Sequence, residues 1–125
     1  MNLHDRLLAI ASALDNQPHL HKLGALFDEC VLIEAGEDSV YVFFHRGRVE
    51  KLVEGPSSRT PWRFALRTDP DALNRFWQQV PEPGFHDIFG LVKIGRAKIE
   101  GDVLALVKNL RFFKEFLALG RDGQA

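Results

Sequence analysis

The sequence is poor in cysteine, in long apolar runs and in net charge, and each shortage closes off a class of function. Cys30, the single cysteine, leaves no intramolecular disulfide. It sits among apolar residues and reads as a small buried thiol, with a reactive thiol as the alternative. Such usage suits a reducing compartment. No stretch approaches the roughly 18 apolar residues of a membrane span. The opening Met1-Asn-Leu-His-Asp-Arg6 is polar and periodic, unlike a secretory leader, and the closing Gly123-Gln-Ala125 is not a peroxisomal signal. The expectation is a cytoplasmic protein of bacterial style. A formal net charge of −1 gives no strong field toward nucleic acid, and none is expected as a partner. There is no Gly-x-Ser-x-Gly nucleophile motif, internal repeat or low-complexity tract.

What is present fits one domain spanning residues 1–125: 46% apolar and 26% charged residues, in a chain long enough for a core. Residues 1–27 read as a helical N-terminal segment and 28–119 as a sheet-and-helix core. Leu3, Leu7, Ile10, Ala11 and Leu14 recur at helical spacing. A shorter helical piece, 19–27, turns Leu20, Leu23 and Phe27 inward. Strands follow at Cys30–Ile33, Val40–Phe44 and Val49–Val53, the last two joined by a hairpin at Arg46-Gly47; they read as an antiparallel meander. In the next strand, Trp62–Arg67, alternation puts Trp62, Phe64 and Leu66 on one face and Arg63, Ala65 and Arg67 on the other. Asp69-Pro70 starts a helix to about Gln79, with Leu73, Phe76 and Trp77 inward. Phe85–Leu91 has no clear period. A last strand is expected from Ile94 to Glu100, then one long helix capped by Asp102 and running to about Leu119.

Candidate chemistry is sparse. Gly90 to Gly95 has the glycine spacing of a phosphate loop but lacks its Lys and Ser/Thr, so a strand is expected there. His19 and His21 lack a third metal ligand and read as surface residues, and no metal site is expected. His86-Asp87 resembles an oriented base, yet adjacent residues rarely face each other. His4 and His45 look incidental, and Asp69, Asp71 and Asp102 read as helix N-terminal charges. No catalytic residue is expected. Six basic residues, Lys93, Arg96, Lys98, Lys108, Arg111 and Lys114, face only Glu100 and Asp102 between positions 92 and 114. They read as a solvated face, or as weak docking to an anionic membrane surface.

The final helix carries the stronger signal. Val103, Leu106, Val107, Leu110, Phe113 and Leu117 form a stripe, and Leu104, Phe112, Phe116 and Leu119 widen it. A helix packed once on a sheet needs an apolar arc of roughly 100°. A broader one must touch something on a second side: a partner copy in a homodimer, the N-terminal helix, or a ligand cavity.

Gly95-Arg-Ala-Lys-Ile-Glu-Gly-Asp102, followed by Val103-Leu-Ala-Leu-Val-Lys-Asn-Leu110, resembles the closing signature of the sterol carrier protein two family. That signature is a Gly-Lys-x-Lys-Ile-x-Gly-(Asp/Asn) strand and turn, then an apolar helix. The likeness covers about residues 27–116; Arg96 replaces a lysine and Ala97 a larger apolar residue. It implies an α+β fold: a five-stranded, mainly antiparallel mixed sheet with helices packed over one face, enclosing an apolar tunnel. It implies binding of sterols, fatty acyl chains or other lipids, no cofactor and no catalysis. Some members are fused to enzymes or assist polyprenyl-quinone synthesis, so an accessory or dimerisation module is the alternative. Carried over, Ile99, Val103, Leu106, Val107 and Leu110 would line the cavity, with Phe85 and Phe89 at the family's aromatic positions. Helices 70–79 and 103–119 as a roof add Phe76, Trp77 and Phe113, and the strand below adds Phe64.

Overall fold

The computed structural model describes residues 2–121. Helices α1 (Leu3–Leu14) and α2 (Pro18–Leu23) precede strands β1 (Cys30–Ala35), β2 (Asp38–His45), β3 (Arg48–Glu54) and β4 (Phe64–Thr68). Then come α3 (Pro70–Phe76), α4 (Ile88–Lys93), β5 (Lys98–Gly101), α5 (Val103–Lys108) and α6 (Leu110–Ala118). The five strands form one sheet in the order β3-β2-β1-β4-β5. Three pairings are antiparallel, but β1 and β4 run parallel, with Val31 opposite Phe64 and Ile33 opposite Leu66. The meander therefore holds for β1–β3 only. A parallel neighbour cannot be reached by a tight turn, and residues 55–63 provide the crossover.

That crossover passes over one face of the sheet. Tyr41 Oη donates to the Ser57 carbonyl at 2.9 Å, and Leu32, Tyr41 and Ala65 make a small apolar cluster there with Trp62 against it. Trp62 is thus across the sheet from Phe64 and Leu66, which lie in the main core. The expected alternation fails because β4 begins only at Phe64. Arg63 sits in a bend, its N–H donating to the Cys30 carbonyl at 2.7 Å while its carbonyl accepts from Asp102 N–H at 2.8 Å. The opposite, inner face carries Val31, Ile33, Val40, Val42, Phe44, Phe64 and Leu66, and the helices lie over it. A bulge between Phe43 and Phe44 lets both Val49 and Leu52 of β3 reach this side despite their spacing of three. Leu23, expected inward, is exposed, whereas Leu20 and Phe27 are buried.

The segment before β5 is a helix, not a strand. Asp87 Oδ1 caps α4 by accepting from Gly90 N–H at 2.8 Å. At the other end Gly95 takes φ +79°, and Arg96 N–H donates to the Leu91 carbonyl at 2.8 Å while Gly95 N–H donates to Val92 at 3.0 Å. This is a Schellman stop, which needs a residue comfortable in the left-handed region. It accounts for the Gly90–Gly95 spacing and shortens the expected strand from Ile94–Glu100 to Lys98–Gly101. The expected final helix is also divided: Asn109 (φ −123°, ψ 25°) ends α5 and starts α6. Helix α3 is shorter than expected, with Trp77 as its C-cap.

Gly101 marks the tightest backbone approach at the sheet edge. Its φ is +93°, and a Cβ there would lie 2.7 Å from the Arg63 carbonyl oxygen and 3.1 Å from Phe64 Cα. Gly101→Ala is expected to destabilise the fold by at least about 2 kcal/mol, combining backbone strain with that clash. Urea denaturation of the two proteins measures it.

Candidate functional site

Between the inner sheet face and α6 the interior is aromatic. Phe27, Phe44 and Phe64 from below meet Phe112, Phe113 and Phe116 of α6. Ring centroids lie 4.9 Å apart for Phe44–Phe116, 5.3 Å for Phe64–Phe113 and 5.5 Å for Phe27–Phe112. Several pairs are edge-to-face, the arrangement the ring quadrupoles favour. Polar ties hold α6 in place. Trp77 Nε1 donates to the Leu117 carbonyl at 2.9 Å, Arg6 donates to the Gly120 carbonyl at 2.7 Å, and Lys114 pairs with Asp87 at 3.1 Å.

The eleven residues expected to line a ligand divide between interior and surface. Phe64, Phe76, Trp77, Phe85, Leu106 and Phe113 are buried, and Ile99 and Leu110 pack half-buried at the core's edge. Phe89, Val103 and Val107 are 36%, 41% and 51% exposed. Phe76 and Trp77 lie beneath guanidinium groups, those of Arg121 and Arg6, each 4.7 Å from the ring centre. Phe85 faces Arg75 and Arg96 at 5.5 and 5.8 Å. These three rings are thus flanked by cations. Sequence reasoning left Phe44 and Phe27 out of this set although they complete the aromatic cluster. Their signal was present, since both fall on inward positions of their segments.

The broad apolar arc of the last helix is real, but its second side at α5 meets solvent. Leu104 is 60% exposed beside Val103 and Val107. A cleft of about 290 Å³ lies against Leu110, Arg111, Lys114 and Glu115. A second, about 230 Å³, is lined by Glu29, Arg63, Asp102, Leu104, Ala105, Lys108 and Asn109. Of the eleven expected residues, Leu110 alone borders either cleft.

The polar candidates serve the framework. Arg63 and Arg67 point to the outer side, pairing with Asp102 at 3.1 Å and with Glu34 at 2.7 Å and Glu100 at 2.9 Å. Arg96 bridges Asp69 and Asp71, both at 3.1 Å. His19 and His21 turn to different partners, Glu115 at 3.3 Å and the Leu14 carbonyl at 2.8 Å. Asp87 is a cap and an ion-pair partner rather than a neighbour of the His86 ring. Burial raises its carboxyl pKa, but the Gly90 N–H and the Lys114 ammonium outweigh that and hold it below the ordinary carboxylate range. Burial pushes the Cys30 thiol up to about 11, only partly opposed by Lys51.

No protein-family model and no curated protein sequence matches the chain. Its shape does have counterparts. A crystal structure of sterol carrier protein 2 superposes with a TM-score of 0.73 over 94% of this chain and 95% of that one, at 14% identity. This is the sterol carrier protein 2 fold. A UbiJ-SCP2 ubiquinone synthesis protein gives 0.60 over 90% of each chain at 14% identity. Sterol carrier protein 2 from Yarrowia lipolytica gives 0.55 over 94% of this chain and 90% of that one at 12% identity. The resemblance read from 95–110 thus led to the right fold, with its five-stranded mixed sheet and its helices over one face. Among the described residues no helix is long and apolar enough to cross a membrane.

Two expectations follow from the titrating groups. With a pKa near 11 against an ordinary 9.0, Cys30 carries about 100-fold less thiolate than a free cysteine at neutral pH. Its alkylation by iodoacetamide should be slower in proportion, and should recover in urea. Asp87→Asn keeps a good cap and removes the charge facing Lys114. A carboxyl held low in the folded state adds stability above the unfolded value, near pH 4, and loses it as pH falls through the folded value. The variant should therefore be less stable by about 0.5–1 kcal/mol at pH 7, with the gap closing in acid. Denaturation at both pH values measures it.

Proposed function

We propose that the chain, acting as one unit over residues 1–125, binds an apolar lipid-like ligand between the inner sheet face and the helices above it. The ligand class is a fatty acyl, sterol-like or isoprenoid chain, held without catalysis and without a cofactor, in the cytoplasm. One observation carries the reading. On α5, α6 and β5 the apolar residues grade from buried Leu106 and Phe113, through half-buried Ile99 and Leu110, to exposed Val103 and Val107. An extended hydrocarbon entering along that series leaves water without leaving apolar contact.

Affinity would come from the area withdrawn from water. About 400 Å² at roughly 25 cal/mol per Å² is on the order of 10 kcal/mol gross, before the costs of association. The interior rings must shift to admit a chain, and the break at Asn109 gives α6 a place to pivot relative to α5. A polar headgroup stays at the rim; Arg63 and Arg67, paired on the far side of the sheet, do not meet it.

A second reading is favoured by the aromatic packing itself. If the six rings leave no room, the domain is an accessory or dimerisation module for an enzyme of lipid or quinone metabolism. The likeness to a ubiquinone synthesis protein is compatible with that.

Purified protein should release lipid on extraction, show a lipid adduct by native mass spectrometry, and take up a fluorescent fatty acid saturably. Val107→Asp, at an exposed position, should fold normally and lower that uptake at least about tenfold by placing a charge in the apolar path. A protein with no adduct and no saturable uptake overturns the binding reading. If it also sediments as a dimer, the module reading takes its place.

A further inference from the structure

Where β2 begins and β3 ends, beside the start of α1, lies a polar cleft of about 390 Å³ that the lipid reading does not use. Its volume falls in the range of small-molecule sites. Leu3 and Leu7 enter the same core as Val40, and α1 lies against β2 and β3. Asn2 and His4 therefore border the cleft from the helix side. Glu37 and Asp38 border it from the β1–β2 turn and the first residue of β2, Ser39 from β2 and Glu54 from the last residue of β3. Strand pairing fixes these positions: Val40 stands opposite Glu54, and Gly55 N–H donates to the Ser39 carbonyl at 2.8 Å.

Three carboxylates line this cleft, and among the described residues no lysine or arginine does. Glu54 meets His4 Nδ1 at 3.9 Å, while Glu37 and Asp38 have no ion-pair partner among the described residues. Exposed acids alone make an ordinary wet surface, but Ser39 adds a different signal. It is only 8% exposed, and its hydroxyl has no hydrogen-bond partner among the described residues. No sealed side-chain oxygen or nitrogen there lacks a partner, so this oxygen keeps an outlet to solvent, and the cleft that Ser39 lines provides one. A buried hydroxyl that no internal group satisfies is an acceptor left for a guest.

We propose that this cleft binds a small alkyl polyammonium ion. Its N–H groups donate to the Ser39 hydroxyl oxygen and, as charge-assisted bonds, to the carboxylates of Glu37, Asp38 and Glu54. The three acids repel an anion. A single metal ion gathers its ligands at about 2.0–2.6 Å around one point, and no group of three His, Cys, Asp or Glu is so placed among the described residues. Charges spaced along an alkyl chain suit carboxylates spaced around a cleft. None of the lining residues belongs to the apolar series of α5, α6 and β5, so this site stands or falls separately from the lipid reading.

Isothermal titration calorimetry of the full chain with spermidine, at neutral pH and fixed ionic strength, tests it. Saturable one-to-one binding is expected, stronger than that of butylamine and weakening as salt is raised. Glu37→Gln with Glu54→Gln should weaken it on the order of tenfold, taking about threefold for each exposed carboxylate lost. Ser39→Ala should weaken it at least about tenfold. Its midpoint in urea should match that of the unaltered protein, because the hydroxyl holds nothing in the fold. Glu50→Gln, at an exposed acid of β3 outside the cleft, should bind as the unaltered protein does. Circular dichroism checks that each variant folds. No saturable binding, a Ser39→Ala protein that binds undiminished, or a Glu50→Gln protein weakened as much as the double variant would each overturn the site. So would binding of a trilysine peptide without binding of spermidine, which would make the occupant a protein segment.

Discussion

Six phenylalanine rings between the sheet and α6 set the terms for the rest of the molecule. Phe27 comes from the loop before β1, Phe44 from β2 and Phe64 from β4, and Phe112, Phe113 and Phe116 from one helix, so α6 is the part that joins them. Its position is reinforced by a hydrogen bond from Trp77 to its Leu117 carbonyl, by one from Arg6 to the Gly120 carbonyl just beyond its end, and by the Lys114–Asp87 pair. Rings this close give up little volume without the surroundings moving. Any apolar guest must therefore compete with side chains already in contact, and Asn109 is where the helical cover is interrupted between α5 and α6.

Much of this was legible in the residues. Helix α1, the hairpin at Arg46-Gly47, the Asp69-Pro70 start of α3 and the Asp102 cap all follow from local chemistry. The misreadings have physical causes. Trp62 fits the alternation of β4 on paper, but Arg63 is bent by two backbone hydrogen bonds that depend on β1 and on Asp102, partners far away in sequence. Helix α4 is too short to show a period, and its apolar residues resemble a strand. Its ends were readable even so: Asp87 at the cap and Gly95 at the stop are the signals that identify it. The parallel pairing of β1 with β4 left no local trace, because it is set by where the crossover lands.

The candidate site was legible in kind rather than in placement. A broad apolar arc on the last helix was visible in the sequence, and so was its need for a second contact. Which of its residues turn inward depends on α6 lying over the sheet and on α5 lying at its edge beside β4 and β5. That arrangement buries Leu106 and Phe113 and leaves Val103, Leu104 and Val107 in water. The basic residues divide in the same way. Arg96, Arg111 and Lys114 are consumed by carboxylates of the framework, whereas Lys93, Lys98 and Lys108 have no ion pair among the described residues.

The polar tie from Trp77 to Leu117 and the aromatic contacts of α6 also bear on the birth of the protein. The inner face of β1–β4 is complete in sequence once Leu66 has been made, but the helix that covers its aromatic residues arrives only with residues 112–117. At synthesis rates of about 5–20 residues per second, the interval is roughly 3–10 s. For that time a sheet with an edge strand and an open aromatic face is attached to the ribosome. The last helix is thus the element that ends the nascent chain's exposure to aggregation, and slow translation through residues 65–117 would lengthen the risk more than slow translation anywhere earlier.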